Sequence, residues 1–573
     1  MRFKTYIVVY ASLSGSKVNR KKIYASIAVV IVATITIVIL YSYFSQSSRS
    51  TYPDHEVPSP LEKNIIYAYR DAITGIDPSI EDDTGIIVLH LVYETLLRYD
   101  PIRNEYQYVL AREIDRVDEN TWRIVLRDAQ FHDGSPVTAY DVNFSIWRSK
   151  LMYEEKGLGL GYIWDCLDEI DVVDNKTLYI TTLYSCDIRV SLAAAYSAFI
   201  YSRRILELSK ADDMLSEKLT EWFNSGNSLG SGPYRLERYE PENIVVLRKF
   251  ENWWGWREIN NPDAPDIVII KIVEDPGSQE RMLRTGHIDI ASSVPRGSLN
   301  SLEKDGYKIH VVDTFHNFIM MFNTKRWPTN ITEFRKAIVY AIPWNRIVEQ
   351  ALMGYGRKGS GLIPYGFPGY SKKWELNQDL EKARELLERV RLLDKKIDLE
   401  IVITQGYEEE EVFAKMLKEA LSTLGINLLI KPLPWQQVKQ QGEAVWSDPE
   451  SAPHIIINDW WPTYMVPYDY FSLLECLEPE EGVYNYWNWA GYCNKEFDEL
   501  LYEAYYTSLQ DIDKSLSLYE KVLEIVFEDT PAVNLWDMQH IYVYDPRHVV
   551  IRYEAINPLY TYTIFFQYVE VKL

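Results

Sequence analysis

The chain has 573 residues, 47% hydrophobic and 25% charged, enough apolar material for several packed domains. A formal net charge of -23 repels phosphate backbones and disfavours nucleic acid as a partner. The 17 Trp and 43 Tyr exceed what packing alone calls for and point to a recognition surface rich in rings.

In chain order, the first feature is residues 23–44, IYASIAVVIVATITIVILYSYF, which carry no charge. At about 1.5 Å per residue they reach roughly 33 Å, one bilayer crossing. Lys17, Arg20, Lys21 and Lys22 precede the segment and only Arg49 follows closely. The positive-inside rule therefore predicts residues 1–22 in the cytoplasm and the rest of the chain outside, as a single-pass protein of the cell membrane. A cleaved signal peptide is the alternative, but its apolar region is only about 7–15 residues and ends in a small-residue site, so an uncleaved anchor is favoured. No Cys follows the segment closely, which excludes a lipidated cysteine. Residues 45–62, rich in Ser, Pro and charge, read as a flexible tether.

Folded structure is expected from about residue 64. NIIYAY reads as a strand, and DTGIIVLHLVYETLLRYD (83–100) as a helix after an Asp/Thr start. TWRIVLRDA (121–129) alternates like a half-buried strand; the Asp133-Gly134 turn then leads to a helix capped near Thr138. ENIVVLRKF and DIVIIKIV are predicted strands, and EFRKAIVYAI, QDLEKARELLERV and EEVFAKMLKEALSTLG amphipathic helices. HIIIND (454–459) is a short apolar strand entering DWWPTYMVPYDYF (459–471), which is too broken by proline for a helix interior and too aromatic for an ordinary loop. Alternating strands and helices without a short repeat predict an α/β chain of more than one domain.

All four cysteines, Cys166, Cys186, Cys476 and Cys493, fall in the part assigned to the outside. Even count and two sequence-local pairs suggest disulfides 166–186 and 476–493, out of three possible connectivities. Asn143-Phe-Ser, Asn175-Lys-Thr and Asn330-Ile-Thr match the glycosylation pattern and suit a glycoprotein.

The usual catalytic signatures are missing. GLGLG (157–161) lacks the spacing of a nucleotide loop, H-E-x-x-H does not occur and no G-x-S-x-G marks a nucleophile elbow, so no cofactor or metal is expected. A glycoside hydrolase with two distant carboxylates is the enzyme alternative.

Five ordered stretches carry a resemblance: VYETLLRYDP (92–101), TWRIVLRDAQFHDGSPVTAYDVNFSI (121–146), GSGPYRLERYEPENIVVLRKFENWWG (230–255), the segment 322–364 beginning FNTKRWPTNITEF, and NWAGYCNKEFDELL (488–501). Together they resemble the extracellular solute-binding proteins of family 5, the oligopeptide- and dipeptide-binding components of ABC importers. The resemblance implies a periplasmic-binding-protein-like type II α/β fold: two lobes around a cleft, plus an additional domain. The domains would be discontinuous, with residues 63–98, 215–310 and 535–573 in lobe I, 99–214 in the additional domain and 311–534 in lobe II.

The same resemblance implies capture of an oligopeptide and its delivery to ABC permease subunits, with an oligosaccharide as the alternative ligand. After Asp77-Pro78, the segment holding Asp82, Asp83 and Thr84 would line the cleft. Trp435 and Trp460 would be ligand walls, with Asp459, Trp461 and Tyr464 beside them. Three residues beyond Trp460, where peptide binders of this family carry an Asp for the peptide ammonium, stands Thr463. A buried ammonium without a carboxylate is costly, so Asp459, Asp82 or Asp83 must take the charge, or the ligand is neutral.

Overall fold

The computed structural model describes residues 62–393, 395–477, 485–560 and 562–572. The predicted anchor at 23–44, the segment 1–22 and all but the last residue of the tether lie outside the described residues. Among the described residues no helix is long and apolar enough to cross a membrane.

The predicted strand NIIYAY is β1 (Asn64–Tyr69). It runs between two other strands of its sheet, which is why its sequence is a nearly continuous apolar run. A hairpin of β2 (Leu97–Asp100) and β3 (Glu105–Tyr108) follows. Next comes a four-stranded antiparallel sheet of β4 (Ala111–Arg116), β5 (Thr121–Leu126), β6 (Leu167–Val172) and β7 (Thr177–Thr182), in the order β4-β5-β7-β6. The chain then forms β8 (Tyr234–Glu240), β9 (Ile244–Lys249), β10 (Ile267–Ile272), β11 (Ile290–Ala291), β12 (Lys308–Phe322), β13 (Gly356–Lys358), β14 (Ile397–Thr404), β15 (Ile426–Leu433), β16 (Ile455–Trp460) and β17 (Ala532–Tyr544). These join β1 in one sheet ordered β15-β14-β16-β12-β17-β11-β1-β10-β9-β8, with β13 on β17. A last pair, β18 (Val549–Ile551) and β19 (Val569–Val571), closes the chain.

Two long strands tie the sheet together. β12 pairs antiparallel with β17 from Lys308↔Tyr544 to Met321↔Ala532, and the ladder is interrupted between Asp313 and Asn317. On one side of the interruption β17 pairs with β11; on the other, β12 pairs with β16. Separate apolar cores match this division. One packs Phe318, Met320 and Phe322 against the helices Thr332–Ala341, Leu380–Arg389 and Glu408–Ser422; a smaller one gathers Ala68, Ala291, Leu302 and Val543.

Local chemistry explains the helix limits. Thr138 and Asp141 form a reciprocal capping box at the start of helix Ala139–Lys156, and Gly157 ends it in the left-handed region. Asn494, Asp379 and Asp511 cap helices Lys495–Gln510, Leu380–Arg389 and Ile512–Asp529 through their side chains. The helix expected over 83–100 is shorter, Ile86–Val92, with every residue buried. Tyr93 turns to extended backbone, and residues 97–100 gain a cross-strand partner in β3 that continued helix could not offer.

Cys166–Cys186 and Cys476–Cys493 are the disulfides, in the expected local pairing, with Cα–Cα distances of 6.5 and 5.0 Å. Of the three sequons, Asn175 and Asn330 are exposed outside helices and strands, whereas Asn143 is half-buried inside the helix Ala139–Lys156.

Candidate ligand-binding site

Two motifs quoted above from distant parts of the sequence meet as a buried scaffold. The Glu94 carboxylate of VYETLL accepts the indole N–H groups of Trp253 (2.9 Å) and Trp254 (3.0 Å) from ENWWG, and the Ser231 hydroxyl at 2.8 Å. Burial pushes this carboxyl up to about 7. Asp77 takes the Arg148 guanidinium in a bidentate pair at 2.6 Å and also accepts from Thr220. These contacts hold the loop that follows Asp77-Pro78.

That loop brings Glu81, Asp82 and Asp83 against helix Trp435–Ser447 and the segment 485–489. The Asp83 carboxylate accepts the Trp435 indole N–H at 3.1 Å and the Lys439 ammonium at 3.0 Å. Asp82 accepts the Tyr486 hydroxyl at 2.8 Å. Burial and the neighbouring Asp82 and Asp83 push the Glu81 carboxyl up to about 8; burial likewise raises Asp82. Burial pulls Lys439 down, but Asp83 and Asp82 outweigh it and raise the ammonium above its ordinary value. Helix Trp435–Ser447 approaches so closely because residue 442 is Gly: a Cβ there would lie 2.3 Å from the Trp489 ring.

The aromatic segment supplies the facing wall. Asp83, Asp82, Leu160, Tyr196, Trp435, Asp459, Trp460, Trp461, Thr463 and Trp487 enclose a cavity of about 20 Å³, roughly the space one water needs. Four indoles run in series, three of them lining it and the buried Trp489 behind: Trp460 to Trp487 at 5.2 Å between ring centres, Trp487 to Trp489 at 5.7 Å, and Trp489 to Trp435 at 5.7 Å. The Trp461 indole N–H donates to the Tyr196 hydroxyl at 2.7 Å, and Ala195 N–H donates to the Thr463 carbonyl at 2.7 Å. Tyr162 reaches across to the Thr463 hydroxyl and the Asp469 carboxylate. Asp469 also accepts the backbone N–H groups of Thr463 and Tyr464, and burial pushes it up to about 7. Larger hollows of about 360 and 400 Å³ open elsewhere, and none of the nine residues expected in the site lines them.

Seven of the nine residues expected in the site thus line one cavity. Thr84 and Tyr464 do not. The Thr84 hydroxyl donates to the Ala72 carbonyl at 2.7 Å, and Tyr464 is buried against Tyr162. Reading the sequence alone missed Trp487, Tyr196 and Leu160. Trp487 stands in the ring-rich stretch YNYWNW, a signal of the same kind as the segment 459–471; Tyr196 and Leu160 have no local signal.

The family model for the middle part of bacterial extracellular solute-binding proteins, family 5, matches residues 105–476. The chain belongs to this family. Its fold is that of the type II periplasmic binding proteins, two lobes and an additional domain. The chain is 25% identical over 512 residues to the probable D,D-dipeptide-binding periplasmic protein of Escherichia coli, covering 86% of this solute-binding protein and 91% of that one. Among solved structures, the dipeptide-binding protein of a Pseudoalteromonas species in complex with Met-Leu has a TM-score of 0.76 at 18% identity, covering 89% and 100% of the two chains. A periplasmic binding protein of Helicobacter pylori in complex with the peptide STSA has a TM-score of 0.75 at 20% identity, covering 89% and 99%.

Proposed function

We propose that this solute-binding protein captures peptides outside the cell and hands them to the permease subunits of an ABC importer. The observation that carries this reading is the enclosed cavity where indole rings meet the carboxylates of Asp82, Asp83 and Asp459. Stacking surface and a few placed polar groups are what capture of a small solute needs, with no covalent step. The relative named for D,D-dipeptides and the neighbours solved with Met-Leu and STSA support the same class. The domain ranges expected from the sequence complete the proposal, with lobe closure by bending in β12 and β17 near the interruption at 313–317. Residues 23–44 hold the protein to the membrane with the folded region outside, and Asn175 and Asn330 are exposed where glycans can be attached.

An oligosaccharide is the second reading, favoured by one observation: the series of four indoles, whose faces suit sugar rings. Native mass spectrometry of the purified full chain, followed by calorimetry with the molecule found, tests both. A co-purified peptide supports the first reading, and a co-purified sugar replaces it with the second.

A further inference from the structure

The hollow of about 360 Å³ shares no lining residue with the cavity of the indoles, and it is built by three separate parts of the chain. Leu523, Val526 and Phe527, at i, i+3 and i+4 on helix Ile512–Asp529, give one apolar side. Trp374 and Leu376 of the loop 361–376 give another, with the Trp374 and Phe527 ring centres 4.6 Å apart. That loop is pinned at its base. Ser360 bridges to Glu375, the Ser360 hydroxyl donates to the Ser371 carbonyl at 2.6 Å, and the Lys358 ammonium holds the Glu375 carboxylate at 3.2 Å. Gly361 begins it in the left-handed region at a φ of +70°, so close to the helix that a Cβ would lie 2.7 Å from the Leu523 side chain.

The third side is helix Thr332–Ala341, where Lys336 and Tyr340, one turn apart, both line the hollow. Lys336 is its one lining Lys or Arg and is half-buried. Among the described residues neither the Lys336 ammonium nor the Tyr340 hydroxyl has a hydrogen bond or ion pair. The neighbouring cations are committed elsewhere. Arg335 donates to the carbonyls of Thr530 at 2.9 Å and Thr329 at 2.8 Å, and Lys373 is on Glu520 at 2.8 Å and Glu524 at 3.5 Å. The acids of the lining, Glu524 and Glu528, are exposed and keep their hydration. An apolar space within the roughly 300–1,000 Å³ of small-molecule sites, with one unengaged cation and one hydroxyl on the same helix face, matches an apolar molecule that ends in an anion.

We propose that this hollow is a second ligand site, for a small organic acid with one carboxylate and an apolar body. The carboxylate sits on the Lys336 ammonium and the Tyr340 hydroxyl, and the body lies against Trp374 and Phe527. The site needs nothing from the peptide reading above.

Calorimetry of the full chain in lipid nanodiscs, with empty discs as the blank, tests this with hydrocinnamate and its uncharged amide as probes. Wild type should bind the acid about 10-fold more tightly than the amide, the difference a charge-assisted hydrogen bond supplies. Lys336→Met should bring the acid down to the affinity of the amide and leave the amide unchanged, which also reports that the variant is folded; Lys336→Gln serves in its place if it is not. Lys336→Arg should keep the preference. Trp374→Ala should weaken both probes about 10-fold. A dipeptide pool in excess should displace neither. Failure of the acid to bind wild type, equal affinity for acid and amide, a preference that survives Lys336→Met or Lys336→Gln, or displacement by dipeptides overturns the proposal.

Discussion

Placing a carboxylate at position 463, where peptide binders of the family carry one, should damage this protein, and the structure says by how much. Thr463 is 1% exposed, its N–H is bonded to the Asp469 carboxylate and its carbonyl takes Ala195 N–H. Thr463→Asp therefore puts a second acid beside one that burial already holds up at about 7. Two like charges at about 4 Å repel by about 4 kcal/mol at an effective dielectric of 20. Keeping one protonated limits the cost to about 1.4 kcal/mol for each pH unit above its pKa. We expect a loss of about 2–4 kcal/mol at pH 8. The sign of the pH effect follows from proton binding. An acid whose folded pKa is raised binds protons more tightly when folded, so stability falls as pH climbs from its ordinary value near 4 through about 7. The variant, with two such acids, should be penalised less at pH 5 than at pH 8, whereas Thr463→Asn should show little difference between the two. Urea unfolding followed by tryptophan fluorescence at both pH values measures it. A Thr463→Asp protein as stable as wild type at pH 8, or equally destabilised at both, refutes the reasoning.

Glu94→Ala removes the common acceptor of two buried indoles and a serine, and should cost about 2–4 kcal/mol in urea unfolding at pH 6. Lys439→Met leaves the buried Asp83 without its cation, a loss of about 3 kcal/mol of bonding between this loop and helix Trp435–Ser447, read as faster hydrogen exchange in residues 81–85. Disulfides closing sequence separations of 20 and 17 residues should each contribute about 3 kcal/mol, so reduction should lower the urea midpoint; an unchanged midpoint argues against that contribution. External protease on intact cells should remove the folded region while residues 1–22 stay protected, and protection of the large fragment would reverse the topology.

What could be read from the residues was whatever is local. The six residues of β1, the Thr138 cap, the apolar strand entering the aromatic segment and the two cysteine pairs each carry their signal within about twenty positions. The helix predicted over 83–100 was overextended because periodicity cannot see that residues 97–100 have a partner strand waiting at 105–108. The His316–His540 contact, 3.0 Å between ring nitrogens, joins residues 224 positions apart, a separation that no local pattern spans. Thr463 drew attention as a departure from the family, yet its significance changed once Asp469, six residues on, appeared beneath it.

The pairing of β11 with both β1 and β17 constrains how this chain is made. Ribosomal synthesis and export deliver the N-terminus first, so β1, β10 and β11 emerge long before residues 532–544 exist. Until β17 arrives, β11 offers an open edge, and the half of the sheet nearest the N-terminus is the last to be completed. The half built on β14, β15 and β16 has nearly all its strands by residue 460 and can mature earlier. Loss of the final forty residues would remove part of β17 and everything after it, stranding the earliest-made portion of the protein with a sticky margin.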